Sequence, residues 1–180
     1  MADTGQFCTF YLDGHFFGIP VAEVQEVLGY QEIRGVPLVP DTVCGLINLR
    51  GQIVTAIDLR RCLGMPERAA EQHPMIIVRA EDGAVSLLVD EIGDVLAIDS
   101  TGFELPPQTL DGPARAVVRG VYKLRERLLL ELDIARAIAT ANTAHEFPLP
   151  RQEEELAQGL ATHFRPSAPR CATEDGEQSL

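Results

Sequence analysis

The residue types that most often carry chemistry, namely cysteine, histidine and clustered carboxylates, are scattered along this chain of 180 residues. The cysteines and histidines are Cys8, Cys44, Cys62, Cys171, His15, His73, His145 and His163. No two cysteines form a C-x-x-C pair, and neither residue type has the spacing of a metal site. We interpret the first three cysteines as small core residues of a protein in a reducing compartment.

One acidic run, Asp90, Glu91 and Asp94, has a spacing that a cation could use, but a solvated face is the simpler interpretation. The chain contains no Gly-rich phosphate loop, no G-x-S-x-G elbow and no H-E-x-x-H pair. The sequence therefore predicts no catalytic residue, no metal and no cofactor, and we expect the protein not to be an enzyme.

The composition limits the classes of partner. A formal net charge of −12 disfavours a nucleic-acid surface, since phosphate binding needs clustered Lys and Arg. No apolar run reaches the roughly 20 residues of a membrane span, and the start, "MADTGQFCTFYL", lacks the features of a signal peptide. We expect a cytoplasmic protein with protein partners.

Two sequence blocks recur in the same order. The stretch "VCGLINLRGQIVTAIDL" (43–59) returns as "VRGVYKLRERLLLELDI" (118–134), and "VAEVQEVL" (21–28) returns as "VDEIGDVL" (89–96). Blocks that repeat in order at similar offsets predict an internal duplication.

The first half reads mainly as short strands. The segment 6–20 predicts a β-hairpin around "DG", and the valines of 21–28 lie at helical spacing, which predicts a short helix ended by Gly29. A Pro-containing loop (35–41) leads to a second hairpin, "CGLINL-RG-QIVTAI", after which Asp58 can cap a helical turn.

The second half repeats this plan. "MIIVRAEDGAVSLLV", beginning at about residue 74, predicts a hairpin, and "DEIGDVL" fits either a helix or a bent strand. A Pro-rich loop precedes the repeated hairpin, and 132–141 predicts a closing helix. The fold class is mainly β: two intertwined five-stranded barrels that share an interface, each centred on the repeated hairpin.

The character of the chain changes near its end. We expect one domain over 6–142 and an extension over 143–180 that is rich in Pro, Glu and Ser. Within the extension, Leu156, Leu160 and Phe164 recur at helical spacing, which predicts a short helix over 152–164. The rest of the extension has the composition of a disordered segment.

Four residues of the repeated blocks stand out. Arg50 precedes Gly51 at a bend, and Glu26 is a candidate ion-pair partner for it, although Arg50 could instead cap local carbonyls. Gly45 and Gly120 occupy matching positions, as a strand with a bulge or a close backbone approach would need.

The segments "FGIPVAEVQEVL", "VCGLINLRGQIVTAIDLRRCLG", "LLVDEIGDVLAI" and "LLLELDI" together resemble the CheW family of bacterial chemotaxis adaptors, as a stand-alone CheW-like domain. The resemblance runs in order from about residue 7 to residue 138. It implies two SH3-like five-stranded subdomains and a non-catalytic scaffold. Its implied partners are the regulatory domain of a CheA-type histidine kinase and the cytoplasmic tip of chemoreceptors in membrane-associated arrays.

The resemblance also implies two sets of site residues. Matching positions assign Val21, Val24 and Gly45 to the kinase face. They assign Glu26, Val27, Arg50, Ile53, Leu88 and Val95 to a groove that receives the receptor tip. For each aliphatic residue, simple core packing is the alternative.

Three other interpretations stay open. An adaptor of a non-motility chemosensory pathway, such as pilus or cyclic-dinucleotide control, would use the same residues. A ligand-binding β-barrel sensor would need a roomy cavity with converging polar groups. A cysteine enzyme would need a Cys–His pair in contact.

Overall fold

The computed structural model describes residues 4–67 and 72–143. The strands and α-helices of this part are β1 (Thr4–Leu12), β2 (His15–Pro20), β3 (Val24–Leu28), β4 (Val43–Leu49), β5 (Gln52–Asp58), α1 (Leu59–Cys62), β6 (Met75–Ala80), β7 (Gly83–Leu88), β8 (Glu91–Asp99), β9 (Phe103–Glu104), α2 (Gly112–Val117), β10 (Val118–Lys123), β11 (Leu128–Leu132) and α3 (Ile134–Thr143). Short 3-10 helices precede β3 (Val21–Glu23) and β9 (Ser100–Gly102). None of the helices in these ranges has both the length and the apolar character that crossing a membrane requires.

The strands form two sheets with the same layout, as the duplication predicts. Their orders are β8-β1-β2-β11-β10-β9 and β3-β6-β7-β5-β4. In each sheet an antiparallel hairpin (β1–β2 or β6–β7) has a single strand on one side. On its other side a second hairpin joins it through a parallel pair, β2–β11 or β7–β5. The short strand β9 is an addition to the first sheet.

Each sheet contains strands from both halves of the chain. Strand β3 belongs to the first half but pairs with β6, and β8 belongs to the second half but pairs with β1. The two halves are therefore intertwined, because neither half supplies all the strands of a sheet.

Both sheets curve so that their ends approach each other. Strands β8 and β9 stand at opposite ends of the six-stranded order, yet only Ser100–Gly102 separate them in the chain. In the other sheet, Arg34 of the loop after β3 forms an antiparallel bridge with Leu46 of β4, the strand at the opposite end. The connecting chain thus links the two edges of each curved sheet.

The repeated glycines lie where this connecting chain crosses the sheet. Gly45 and Gly120 are at register shifts in β4 and β10, which are β-bulges. A Cβ atom at Gly45, whose φ is 142°, would clash with the carbonyl oxygen of Arg34. A Cβ atom at Gly120 would clash with the ring of Phe103 and lie 2.9 Å from the carbonyl oxygen of Glu104. The predicted bulge and close approach are both confirmed.

Three apolar clusters fill the described part of the chain. Sheet residues of both halves and the three helices share the largest one, which includes Phe10, Phe17, Ile19, Ile57, Leu59, Ile76, Leu87 and Ala137. Ile47, Val54, Met75 and Ile77 fill the concave side of the five-stranded sheet, and Phe7, Phe16, Tyr122 and Leu129 that of the six-stranded one. The run "MIIV" in β6 is buried on both faces because it lies between two clusters.

Most predicted elements are present, including both DG hairpins, the "RG" turn and the closing helix. Asp58 caps α1 by accepting a hydrogen bond from the backbone N–H of Arg60 at 2.9 Å. Two predictions were wrong. The segment Val21–Leu28 is a 3-10 turn followed by strand β3, not a helix. The repeated hairpins lie toward one end of each sheet order, not at its centre. The segment "DEIGDVL" forms a strand, β8.

The predicted extension over 143–180, its helix over 152–164 and Cys171 lie outside the described residues apart from the backbone of Thr143.

Candidate protein-binding surfaces

The turn between β4 and β5 holds Arg50 in an ion pair with Glu26. Arg50 (φ 52°) and Gly51 (φ 86°) both have positive φ, the requirement of a tight two-residue hairpin turn. The side chain of Asn48 steadies this turn by accepting a hydrogen bond from the N–H of Gly51 at 2.8 Å. Arg50 Nη2 then donates to Glu26 Oε2 at 2.7 Å. The predicted partner of Arg50 is confirmed, and the pair connects the hairpin tip to edge strand β3.

The two members of this pair differ in exposure. The Arg50 side chain is 78% exposed and that of Glu26 is 18% exposed. Because Arg50 stays in water, the pair stabilises the fold by no more than about 0–1 kcal/mol. An arginine held in one place at a hairpin tip, with most of its hydrogen-bond donors in water, is suited to contact a partner.

Exposed aliphatic side chains accompany the ion pair. Val27 follows Glu26 in β3 and is 42% exposed, and Ile53 lies two residues after Gly51 and is 67% exposed. Val95 is the repeat-related counterpart of Val27 on edge strand β8, and it is 59% exposed. These three side chains are available for apolar contacts with another protein.

Leu88 differs from the other residues assigned to the groove. It is 6% exposed and packs in the cluster on the concave side of the five-stranded sheet. The structure gives Leu88 a packing role, and a direct contact with a partner would require that side chain to leave the core.

The three residues assigned to the kinase face lie in the 3-10 helix before β3, at the start of β3 and near the start of β4. Val21 and Val24 are half-buried and pack against the shared apolar cluster. Gly45 is buried beneath the carbonyl group of Arg34, so its own atoms do not form an exposed surface. What lies at the surface here is the loop that crosses over Gly45.

The repeated turn in the second half presents a different surface. Arg125, at the position matching Arg50, forms no ion pair with the residues that the structure describes. Arg127 donates to the hydroxyl of Tyr11 at 2.6 Å, and its guanidinium lies 3.9 Å from the centroid of the Phe16 ring. Arg127 thus fastens the second turn to strand β1 and to the ring of Phe16 in β2. The first turn instead carries the exposed ion pair of Arg50 and Glu26.

A groove whose lining differs from the one that the resemblance implied runs between the five-stranded sheet and α3. Its volume is about 1270 Å³, and its apolar wall includes Ile53, Val85 and Ile138. Of the residues assigned to a binding role, only Ile53 lines it. The hydrophobic pattern could have indicated α3 as one wall, but it could not show which strands face that helix.

Charged side chains also line this groove. They are Glu23, Arg79, Glu81, Asp82, Arg119 and Asp133. Burial raises the pKa of Glu23, while the positive charge of Arg119 opposes that rise. Both signs of charge are therefore present along the groove.

Several of the nucleophilic and acidic residues considered at the outset are buried or have structural partners, and Cys8 and Cys62 are both buried. Burial is the main cause that raises the pKa of the Cys62 thiol to about 12, so this thiol stays protonated and is a poor nucleophile at neutral pH. Asp90 of the acidic run accepts charge-assisted hydrogen bonds from Arg60. Residues 4–67 and 72–143 contain no group of three or more His, Cys, Asp or Glu side chains that could hold a metal.

Paired curved sheets with filled interiors, together with exposed aliphatic and charged side chains at a hairpin tip and along edge strands, are the features of a protein-interaction module. The family model of the CheW-like domain matches residues 6–142, and the chain belongs to this family.

Curated relatives and a solved structure agree with that assignment. The chain is 28% identical over 140 residues to "Chemotaxis protein CheW" of Treponema pallidum, covering 75% of this chain and 82% of the relative. It is 31% identical over 125 residues to the protein of the same name from Bacillus subtilis, covering 69% and 80%. The crystal structure of scaffolding protein TtCheW from Thermoanaerobacter tengcongensis matches with a TM-score of 0.69 and 28% identity, covering 75% of this chain and 92% of that one.

Proposed function

We propose that this protein is a non-catalytic adaptor of bacterial chemotaxis. It couples the regulatory domain of a CheA-type histidine kinase to the cytoplasmic tip of chemoreceptors, at membrane-associated receptor arrays. Membership of the CheW-like family over residues 6–142 is the observation that supports this most strongly. The adaptor unit is the segment 6–142, and the proposal assigns no role to the extension after it.

The mechanism is positional. One rigid body carries two separate surfaces: the edge around Val21, Val24 and the loop over Gly45 for the kinase, and the Arg50–Glu26 pair for the receptor. Val27, Ile53 and Val95 supply exposed apolar area for the receptor's helical tip. Since the interlocked sheets hold these surfaces in fixed positions, binding of one partner orients the other without any covalent chemistry.

The interior of the protein favours this function over a ligand-binding sensor. The concave side of each sheet is filled by large apolar side chains such as Met75, Ile77, Phe7 and Leu129. A small-molecule site would need converging polar groups in an enclosed cavity. The exposed groups lie instead at a hairpin tip and along edge strands.

The first prediction separates the two surfaces by calorimetric titration of the intact protein into each cognate partner. Val24→Lys places a charge at the kinase face and is expected to weaken kinase binding by at least about tenfold, while receptor binding is unchanged. Arg50→Ala is expected to weaken receptor binding and leave kinase binding unchanged. Arg125→Ala, the repeat-related arginine, should alter neither affinity.

Circular dichroism establishes that each variant is folded, and the milder Val24→Ala replaces Val24→Lys if the lysine unfolds the protein. Binding of the wild type to neither partner would contradict the adaptor proposal. A non-motility pathway with its own kinase and receptor is distinguished by titrating the partners encoded in each chemosensory system of the same genome.

A further inference from the structure

The loop that leads from β3 to β4 carries an exposed leucine in an unfavourable backbone conformation. Leu38 is 86% exposed, the largest value of any large hydrophobic residue that the structure describes. Its φ is 60°, in the left-handed region. Leucine is rare in that region. Because the side chain is exposed to water, it gains no burial that would offset the unfavourable backbone conformation.

The local sequence explains how this conformation arises. Pro37 precedes Leu38 in a turn, and proline at the first central position with positive φ at the second is the type II arrangement. Glycine or asparagine is favoured at that second position because neither is strongly strained there. A leucine at this position therefore lowers the stability of the folded state without any packing gain within the described residues.

The loop is fastened on both sides of Leu38. On one side, Arg34 and Leu46 exchange two backbone hydrogen bonds of 2.8 and 2.9 Å. On the other, the N–H of Val43 donates to the carbonyl of Pro40 at 2.9 Å, and Arg61 Nη1 donates to the carbonyl of Asp41 at 2.6 Å. Leu38 is thus an exposed apolar side chain in a loop whose two ends are fixed by hydrogen bonds. Because the loop is already ordered, less conformational entropy is lost when it binds a partner.

Strained residues that persist without a structural benefit are candidates for function. We propose that Leu38 is an apolar anchor that inserts into a hydrophobic pocket of the kinase's regulatory domain. This inference rests on the adaptor function proposed above and adds a binding residue to its kinase-facing surface.

The position of the loop favours the kinase over the receptor as the partner. The carbonyl group of Arg34, at the start of the loop, covers Gly45, one of the residues assigned to the kinase face. Arg50 and the receptor-facing ion pair lie beyond the other end of β4. Arg50 comes five positions after Gly45 in the chain, which along a strand corresponds to about 17 Å.

The test compares stability with affinity in the intact protein. Leu38→Asn and Leu38→Gly relieve the backbone strain, so their melting temperatures are expected to equal or exceed that of the wild type. The affinity of both variants for the cognate CheA-type regulatory domain is expected to fall by at least about tenfold, the effect of losing a central apolar anchor.

Leu105→Asn is the matched control, since Leu105 is 77% exposed in the Pro-rich loop after β9 and its φ is not positive. This variant should bind the kinase like the wild type. Wild-type affinity in both Leu38 variants would overturn the anchor while leaving the adaptor function intact. A lowered melting temperature would also overturn it, because Leu38 would then be a packing residue, and failure of the wild type to bind would remove both proposals.

Discussion

Ser86 is a residue at which burial and polarity conflict. It lies in β7 with no exposed surface, and its hydroxyl has no hydrogen-bond partner among the residues that the structure describes. A buried hydroxyl that lost water without gaining a partner destabilises the folded state by about 1–3 kcal/mol. Thr9 shows the opposite situation, because its buried hydroxyl donates to the carbonyl of Asp94 at 2.5 Å.

We therefore expect Ser86→Ala to raise the free energy of unfolding by about 1 kcal/mol, since it removes the unpaired hydroxyl and leaves a small side chain in place. Thr9→Val, which removes a paired hydroxyl of similar shape, should lower it. Urea unfolding of both variants measures the two effects. A Ser86→Ala protein less stable than the wild type would contradict the assignment of that hydroxyl as unpaired.

At the same scale, the Arg50–Glu26 pair could be predicted because a turn arginine and an acid on the neighbouring edge strand are chemically complementary. The burial of Leu88 could not be predicted in the same way. Its neighbours Leu87 and Val89 are both apolar, so the sequence pattern does not distinguish the residue that faces the core from one that faces a partner. The strained turn at Leu38 was also missed, because leucine is not a residue that signals positive φ.

At the scale of elements, strand β3 explains why part of the sequence prediction failed. A helix was predicted from Val21, Val24, Val27 and Leu28, but the burial of β3 alternates, with Val24, Glu26 and Leu28 facing inward. The alternation was hidden because an acid occupies an inward position and a valine an outward one. Glu26 is held there by Arg50, and Val27 is exposed. Glu26 and Val27, which break the expected alternation, are both candidate binding residues. Local sequence rules are most often broken at such sites.

The two bulged strands β4 and β10 give a prediction at this scale. Gly45→Ala and Gly120→Ala are each expected to lower the free energy of unfolding by at least about 2 kcal/mol, because the new methyl group meets the crossing chain. Gly29→Ala, at a site with open space and no positive φ, should have little effect. Thermal unfolding of the three variants measures the difference. Equal stability of Gly45→Ala and Gly29→Ala would show that the crossing is not close.

At the scale of the whole molecule, one cluster of charges ties the two sheets together. Arg60 of α1 donates to both carboxylate oxygens of Asp90, which precedes β8, and lies 3.5 Å from Asp13 in the β1–β2 turn. The backbone N–H of Asp13 also donates to Asp90, at 2.7 Å. The Arg60 side chain is only 13% exposed, so water does little to screen these contacts.

We expect Arg60→Met to lower the free energy of unfolding by about 2 kcal/mol. This value lies between the loss of about 0–1 kcal/mol for exposed pairs and about 3–5 kcal/mol for fully buried ones. Arg136→Met is the matched control, because the Arg136 side chain is 64% exposed and lies 3.5 Å from its partner Asp133. Chemical unfolding measures both variants, and an equal loss in the two would show that Arg60 does not link the sheets.

The exchange of strands between the halves could not be derived from the repeat. The order of the repeated blocks is the same whether β3 pairs within its own half or with β6, so only the pairing of the folded chain distinguishes the two arrangements. Most strands could be predicted from patterns of turns and alternation. Which strands pair with each other depends on contacts between residues far apart in sequence.

This exchange determines how the protein carries mechanical force. Tension between a partner on the five-stranded sheet and one on the six-stranded sheet is transmitted along the chain where it passes between the sheets, from β2 into β3 and from β7 into β8, so that β3 and β8 follow these crossings. Each of these two strands is held by a ladder of backbone hydrogen bonds, β3 on β6 and β8 on β1. A pull along these strands loads several hydrogen bonds at once in shear, whereas peeling would break them one at a time.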